Sequence, residues 1–420
     1  MTLADEQDDE EEDEEKQSLF EKIQAAFPLL MAWLYRHKDF TYENMTDEEV
    51  QSFVRKVSDY FDHAVDTSIR QVPMAEVSVQ RLKESNYVFS GIKVFHELNE
   101  AFPSMLDDNN ELRPFEDFLN DVQKVNNTYN GSYLKTEYNF ARQSSLSAAR
   151  WKQFEKDGDR YNLQYRTAYD DRVRTSHRKL EGITLPPSSK FWNDYFPPNG
   201  WNCRCTVVQV RKDKYPESDE QKAINLGSQA TAGRHQEMFK FNPGKAMTTF
   251  PAYNAYTIRK CKNCKYNGSL KLAADIPDNE QCAACKVVRE MAKEQMQKYY
   301  KLNERSLLNQ LQGKYEFEDE HFNGSKGIFV RNSITENLRK GALYFAKSDV
   351  LRNIEKYLTG DKKYRWDDNV KKDTKPNMEG MHVFITKYEG SETEFVGREM
   401  ELMFEQFNNG LIKFHFIKFI

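Results

Sequence analysis

The sequence has few cysteines and lacks long apolar runs, and both shortages exclude classes of protein. Its 420 residues contain six cysteines, four of which form Cys-x-x-Cys pairs. Such pairs indicate metal ligands in a reducing compartment rather than a disulfide framework. No apolar run is long enough to span a membrane. The first residues are acidic, which is not the pattern of a secretory signal peptide.

Negative charge is concentrated at the N-terminus. Ten acidic residues between Asp5 and Glu15 contribute a charge of −10. The formal net charge of the whole chain is −5, so the rest of the chain carries +5. A block of like charges predicts a disordered tail over residues 1–16, either solvated or docked on a basic partner surface. The mildly basic remainder is compatible with a nucleic-acid neighbour but does not require one.

The N-terminal half shows helical periodicity. Apolar residues recur at helical spacing from Ser18 to about Arg150, for example at Val50, Phe53, Val57 and Phe61. We interpret these stripes as the core faces of helices.

The densest group of charged and metal-binding side chains lies between Tyr165 and Arg211. Spacings of three and four predict one helix that carries Arg166, Asp170, Arg174 and His177 on a single face. The stretch continues with Phe191-Trp192, Pro197-Pro198-Asn199-Gly200-Trp201, Cys203-Arg204-Cys205 and an apolar strand from Thr206 to Val210.

Three interpretations of this stretch stay open. Its polar groups could lock two elements together through charge-assisted hydrogen bonds. His177, Cys203 and Cys205 could supply three ligands to zinc, although a fourth ligand is not evident and Cys-x-Cys is not the usual knuckle spacing. A nucleophilic cysteine paired with His177 is the third option.

The same pieces, in this order, closely resemble the Mu F-like head-morphogenesis (minor head) proteins of tailed phages. The resemblance covers roughly Phe89 to Tyr256, and its motif residues are Arg166, Asp170, Arg174, His177, Cys203, Arg204 and Cys205. It implies a capsid component near the portal vertex that acts in head assembly. The implied partners are portal and capsid proteins, with phage DNA or RNA as further candidates and no membrane. The implied locations are the virion head and, during assembly, the host cytoplasm.

Two cysteine pairs follow this region. Cys261 and Cys264 are separated by seventeen residues from Cys282 and Cys285, which matches a four-thiolate zinc site. A closed site of this kind stabilises a small region and does not catalyse. Unliganded thiols or redox exchange are the alternative.

The last hundred residues change in character. We predict a strand at Gly327–Val330, helices at Ser333–Ala346 and Ser348–Leu358, a basic loop at Gly360–Gly380, and strands at Met381–Tyr388, Glu392–Val396 and Leu411–Phe419. Helices followed by a small antiparallel sheet form an α+β pattern. In layout and length this module looks like the barnase/EndoU/colicin/RelE-like nuclease domains that phages append to Mu F-like proteins.

Metal-independent RNA cleavage needs an acid or base near the 2′-hydroxyl and cations that stabilise the phosphorane. The candidates are His382, Lys387, Arg398 and His415, of which we prefer His382, while Lys371 and Lys372 could hold the nucleic-acid backbone. The module would be a toxin-like ribonuclease effector carried by the virion or an inactive, nuclease-like binding module.

The sequence therefore predicts an α+β multidomain protein. Its expected parts are an acidic tail at 1–16, a helical region with the Mu F-like domain at 17–260 (motif core 165–211), a zinc knuckle at 261–285, a linker helix at 286–312 and a nuclease-like module at 313–420.

Overall fold

The computed structural model describes residues 3–109, 111–233, 236–251, 254–259, 282–339, 341, 343–370, 373–390, 392 and 395–420. For residues 3–10, 258 and 259 it describes the backbone only. It confirms the mixed α+β class, with a helical N-terminal half and a C-terminal sheet. The chain divides into two compact units, residues 1–73 with 78–293 and residues 74–77 with 294–420.

Long helices build the first unit. They are α1 (Leu3–His37), α2 (Glu48–Gln71), α3 (Glu76–Ala101), α4 (Phe115–Asn126) and α5 (Leu134–Asp157). The predicted apolar stripes face the core, because Val50, Phe53, Val57 and Phe61 are all buried. None of the described helices combines the length and the apolar content that a membrane crossing requires.

The acidic block differs from the disordered tail that its charge predicts. Helix α1 begins at Leu3 and runs through it. Glu12 forms an ion pair with Arg70 at 3.6 Å, and Glu15 lies 3.5 Å from the ring of His63, both on α2. Glutamate is a good helix former, and these pairs offset part of the repulsion between neighbouring carboxylates.

A buried ion pair lies inside the helical core. The ammonium of Lys93 is fully buried and lies 2.7 Å from Oε2 of Glu137. It also donates to the carbonyl of Tyr129 at 2.6 Å and contacts the hydroxyl of Tyr256 at 3.2 Å. Tyr129 belongs to the π-helical segment Asn127–Tyr133. The pair therefore has the additional hydrogen bonds that a buried charge requires.

A small antiparallel sheet carries the central stretch. Strand β1 (Asn162–Arg166) lies between β2 (Thr184–Leu185) and β3 (Thr206–Val210). Short helices follow this sheet along the chain or connect its strands: α6 (Thr175–Arg178), α7 (Phe191–Asp194), α8 (Glu220–Ala230), α9 (Pro243–Ala246) and α10 (Ala255–Arg259). Trp151, Tyr165 and Trp192 fill the core beneath.

The single helix predicted across Arg166 to His177 is wrong. Arg166 ends strand β1, and only His177 lies in a helix, the one-turn α6. Tyr169 has a positive φ of 56°, and Oδ1 of Asp170 accepts a hydrogen bond from the amide of Arg172. Such local side-chain bonds compete with helix formation, so the spacing of the polar groups does not produce a helical face.

The second unit begins within α11 (Ala283–Leu311), where the sequence predicted a linker helix at 286–312. Three helices, α12 (Arg331–Asn337), α13 (Tyr344–Arg352) and α14 (Ile354–Thr359), replace the two that were predicted. The strands are β4 (Glu316–Glu318), β5 (Lys326–Ile328), β6 (Lys363–Asp368), β7 (Met378–Lys387), β8 (Glu399–Phe407) and β9 (Ile412–Phe419).

The sheet of the second unit has the order β4-β5-β9-β8-β7-β6 and is mixed, because β5 and β9 are parallel. The predicted basic loop contains β6, and β8 was not predicted. No described residue of the segment 392–396 belongs to a strand, so the strand predicted there is wrong.

The side chain of Asn337 covers part of the edge of β9. Its Nδ2 donates to the carbonyl of His415 at 3.2 Å, and its Oδ1 accepts from the amide of Ile417 at 2.8 Å. Strand β5 pairs with β9 earlier, at Ile412 and Lys413. One amide side chain on α12 therefore takes the place of a neighbouring strand.

Candidate functional site

An ion pair and a hydrogen bond connect two segments that contain the predicted motif residues. The guanidinium of Arg204 contacts both carboxylate oxygens of Asp170 at 2.7 Å, and this pairing holds the pKa of Asp170 below its usual range. Arg174 donates to the carbonyl of Trp201 at 2.7 Å, in the turn before the cysteines. The structure therefore ties the segment 166–178 to the segment 199–206.

Glu181 is a motif partner that the sequence reasoning missed. Its Oε2 accepts from the amide and the hydroxyl of Thr167 at 2.5 and 2.8 Å. Its Oε1 lies 3.5 Å from the guanidinium of Arg166. The only signal for Glu181 in the sequence was its position as a single acidic residue after a run of basic residues. That position did not indicate which cation the carboxylate would face.

His177, Cys203 and Cys205 meet in the interior. Nδ1 of His177 lies 3.7 Å from Sγ of Cys203 and 3.7 Å from Sγ of Cys205. The three donor atoms all lie within 4.8 Å of one another. Their residues are 2, 5 and 3 % exposed, respectively. The sequence left undecided whether these three residues form a metal site, and the structure brings them together.

The two thiols influence each other's ionisation. A hydrogen bond from Cys205, together with the His177 ring, holds the pKa of Cys203 well below its usual value. The pKa of Cys205 is raised, because ionisation beside the sulfur of Cys203 is unfavourable and the site is buried. Burial argues against the nucleophile interpretation, since a catalytic thiolate must be reached by its substrate.

The structure describes half of the predicted four-cysteine site. Cys261 and Cys264 lie outside the described residues. Cys282 and Cys285 stand at the start of α11 with their sulfurs 3.4 Å apart. This proximity fits a Cys-x-x-Cys knuckle, whose two thiolates bind one ion.

His382, the preferred catalytic candidate, lies on the core face of the second sheet and is 2 % exposed. Its Nδ1 lies 3.1 Å from the hydroxyl of Tyr364, and its Nε2 lies 2.6 Å from Oε1 of Gln406. Burial lowers the pKa of His382. This environment favours a structural role, because both ring nitrogens contact protein groups away from solvent.

The remaining candidates do not gather around His382. Lys387 pairs with Glu399 at one end of the β7–β8 ladder, five residues and about 17 Å from His382. The guanidinium of Arg398 lies 5.1 Å from the centre of the Phe395 ring. Lys371 and Lys372 lie outside the described residues.

The opposite face of the sheet carries a charged group that the sequence reasoning identified only in part. Nδ1 of His415 lies 3.6 Å from Oε1 of Glu405, which also pairs with Lys375. Nearby on the same face, Glu401 pairs with Arg365 at 3.0 Å and with Lys418 at 3.2 Å. Strand alternation places these side chains away from the core. Carboxylates, an imidazole and several cations therefore share the sheet face opposite the core, where Glu401 and Glu405 are only 4 and 8 % exposed.

Comparisons with known proteins find similarity in the central region. Residues 113–208 match the model of the family described as Phage Mu protein F like protein. The putative capsid assembly protein F of Escherichia phage Mu is 37 % identical over 75 residues, which are 18 % of this chain and 17 % of that protein. The Mu-like prophage FluMu F protein of Haemophilus influenzae is 32 % identical over 94 residues, covering 20 % of this chain and 23 % of that protein.

An uncharacterised protein of Methanocaldococcus jannaschii is 32 % identical over 96 residues, covering 23 % of this chain and 15 % of that protein. The chain thus spans less than a quarter of the length of each of these relatives. No solved structure matches. The matched segment 113–208 contains β1, α6, His177, Cys203 and Cys205.

Proposed function

We propose that this chain, whose residues 113–208 form a Phage Mu protein F-like segment, is a minor head protein that acts in phage head assembly near the portal. The similarity to the capsid assembly protein F of phage Mu carries this proposal. The proposed partners are portal and capsid proteins, with phage DNA or RNA as additional partners. The chain would reside in the virion head and, before that, in the host cytoplasm.

The test compares particles of the encoding phage with and without the chain. We expect the chain to sediment with purified particles, and its deletion to lower the yield of filled heads. Arg204→Ala should fail to restore that yield, because Arg204 joins two segments of the motif through Asp170. Arg211→Ala is the matched control, since its pair with Asp213 is exposed and lies outside the matched segment. Normal heads without the chain would refute the proposal.

The cysteine pairs support a separate structural proposal, a zinc ion held by Cys261, Cys264, Cys282 and Cys285. Its support is the spacing in the sequence and the 3.4 Å between the sulfurs of Cys282 and Cys285. We expect Cys282→Ser to lose one equivalent of bound zinc in elemental analysis. An unchanged zinc content in a folded variant would contradict this site.

A second candidate function, ribonuclease activity, is favoured by the group around Glu405 and His415. A carboxylate beside an imidazole can supply the base and the acid for metal-free RNA cleavage. Glu405 would take the proton of the 2′-hydroxyl as the 2′-oxygen bonds to phosphorus. His415 would donate a proton to the 5′-oxygen as its bond to phosphorus breaks. Lys375 and Arg365 would stabilise the phosphorane charge, and the product would carry a 2′,3′-cyclic phosphate.

The test measures cleavage of a mixed RNA by the full chain with a metal chelator present. We expect cyclic phosphate ends, and a loss of about 10²-fold or more in Glu405→Gln and in His415→Gln. His37→Gln, an exposed histidine of α1, is the matched control. Loss of cleavage in His382→Gln but not in the other two would return the active centre to His382. Absence of cleavage by the wild type would leave the binding-module interpretation.

A further inference from the structure

We infer that Nδ1 of His177, Sγ of Cys203 and Sγ of Cys205 bind a structural zinc ion inside the Mu F-like segment. This site is separate from the four-cysteine knuckle and shares no residue with it. It is also independent of the proposed role in head assembly, because it rests on the geometry of three side chains.

The distances between the donor atoms fit one tetrahedral ion. Zinc binds thiolate at about 2.3 Å and imidazole nitrogen at about 2.0–2.1 Å, which places a sulfur and a nitrogen ligand about 3.6 Å apart at the tetrahedral angle. Both sulfurs lie 3.7 Å from the same ring nitrogen, Nδ1 of His177. A hydrogen bond would need one sulfur to face the nitrogen, whereas a shared metal needs both to be equidistant from it.

The chemistry of the three donors selects the class of metal. Two thiolates and one imidazole are soft and borderline ligands, which suit zinc and not calcium or magnesium. Among the described residues, these three form the one cluster of His, Cys, Asp and Glu donors close enough together to bind an ion. Their burial keeps substrate away, so the ion would stabilise the segment and would not catalyse.

The hydroxyl of Tyr165 lies beside the cluster. Tyr165 is fully buried on β1, interacts with the sulfur of Cys205 and hydrogen-bonds to Oδ1 of Asn199 at 2.9 Å. Leu163 and Val207, apolar residues of the same small sheet, belong to the same core cluster as Tyr165.

The local backbone would gain stability from a bound ion at this place. Helix α6 has four residues, and a single helical turn is not stable alone. Cys203 and Cys205 alternate with Arg204 along extended chain, so the two sulfurs point inward while Arg204 points outward to Asp170. One ion would fasten α6 to the start of β3 and hold Arg204 in position for its ion pair.

The decisive experiment uses the full chain with Cys282→Ser and Cys285→Ser, which disables the knuckle and leaves the proposed site intact. After metal is removed with a chelator, Co²⁺ is titrated and followed by absorption. We expect one equivalent of tightly bound Co²⁺, with thiolate-to-metal charge-transfer bands and tetrahedral d–d bands. Binding of no Co²⁺, or Co²⁺ without thiolate bands, by this folded variant would overturn the inference.

Elemental analysis of the zinc-loaded chain provides the second measurement. Cys203→Ser in the wild-type background should lose one equivalent of zinc. The triple variant Cys203→Ser, Cys282→Ser, Cys285→Ser should bind one equivalent of zinc fewer than the Cys282→Ser, Cys285→Ser variant. Ser189→Ala, a buried hydroxyl in the same core region, is the matched control and should keep its zinc. Equal zinc content with and without Cys203 would contradict the site, whatever the outcome of the head-assembly test.

Discussion

The buried pair between Lys93 and Glu137 gives the strongest stability prediction. Lys93→Met removes an ammonium that is 0 % exposed, while the carboxylate of Glu137 stays buried beside the hydroxyl of Tyr256. Removal of one partner of a buried pair costs about 3–5 kcal/mol, because the other charge is left without compensation. The Tyr129 carbonyl loses its donor as well. We therefore expect the upper part of that range.

Urea unfolding followed by tryptophan fluorescence measures this effect. Four of the five tryptophans, Trp33, Trp151, Trp192 and Trp201, belong to the first unit, so the signal reports mainly on it. Lys152→Met is the matched control, because its pair with Glu155 is partly exposed and should contribute less than about 1 kcal/mol.

A double variant separates charge from packing. Lys93→Met with Glu137→Leu removes both charges and should recover much of the lost stability, since a well-packed apolar pair often replaces a buried ion pair at little cost. The reasoning would be refuted if Lys93→Met were as mild as Lys152→Met, or if the double variant were less stable than Lys93→Met alone.

Three further predictions concern the first unit. Burial raises the pKa of Glu97 from 4.5 to about 8, so the folded state binds an extra proton between these pH values and stability falls as pH rises through them. Glu97→Gln should remove that pH dependence in urea unfolding at pH 5 and pH 8. The same pH dependence of stability in the variant and the wild type would contradict this prediction. Asn242→Ala should cost about 2–4 kcal/mol, because its buried amide accepts from two amides and donates to the Trp192 carbonyl; a loss below 1 kcal/mol in thermal unfolding would count against this. Gly227→Ala should destabilise the fold by about 1–3 kcal/mol, since a Cβ there would lie 2.5 Å from the ring of Tyr195. Gly131→Ala is the control, because its Cβ would meet no atom within 4 Å and the change should be near neutral.

Periodicity predicted the helices of the N-terminal half because their stability depends on burying one apolar face. The spacing of Val50, Phe53, Val57 and Phe61 contains that information directly. The same reasoning failed between Arg166 and His177, where polar spacing resembles a helical face. There the backbone follows hydrogen bonds of Asp170 and the pairing of β1 with β3, which the spacing does not reveal.

Strand β8 was missed because its residues, rich in glutamate and methionine, prefer helices when considered alone. Its conformation depends on pairing with β7 and β9, and long-range pairing overrides propensity. The charged face of the sheet was hidden for the same reason, since Glu405 and His415 meet only across paired strands.

The candidate metal ligands were found by residue type and chain order. His177, Cys203 and Cys205 could be selected from the sequence because few other residue types bind zinc. Their meeting depends on the path from α6 through the Gly200 turn to β3, and no local pattern specifies that path. The separation of His382 from Lys387, in contrast, follows from the predicted strand Met381–Tyr388, because five residues of a strand span about 17 Å.

The amide of Asn337 has a consequence for self-association. Strand edges with free N–H and C=O groups recruit strands from other copies and start aggregation. By bonding to the carbonyl of His415 and the amide of Ile417, Asn337 occupies the groups on which an incoming strand would pair. A single side chain on α12 therefore closes this part of the β9 edge to pairing with a strand of another copy.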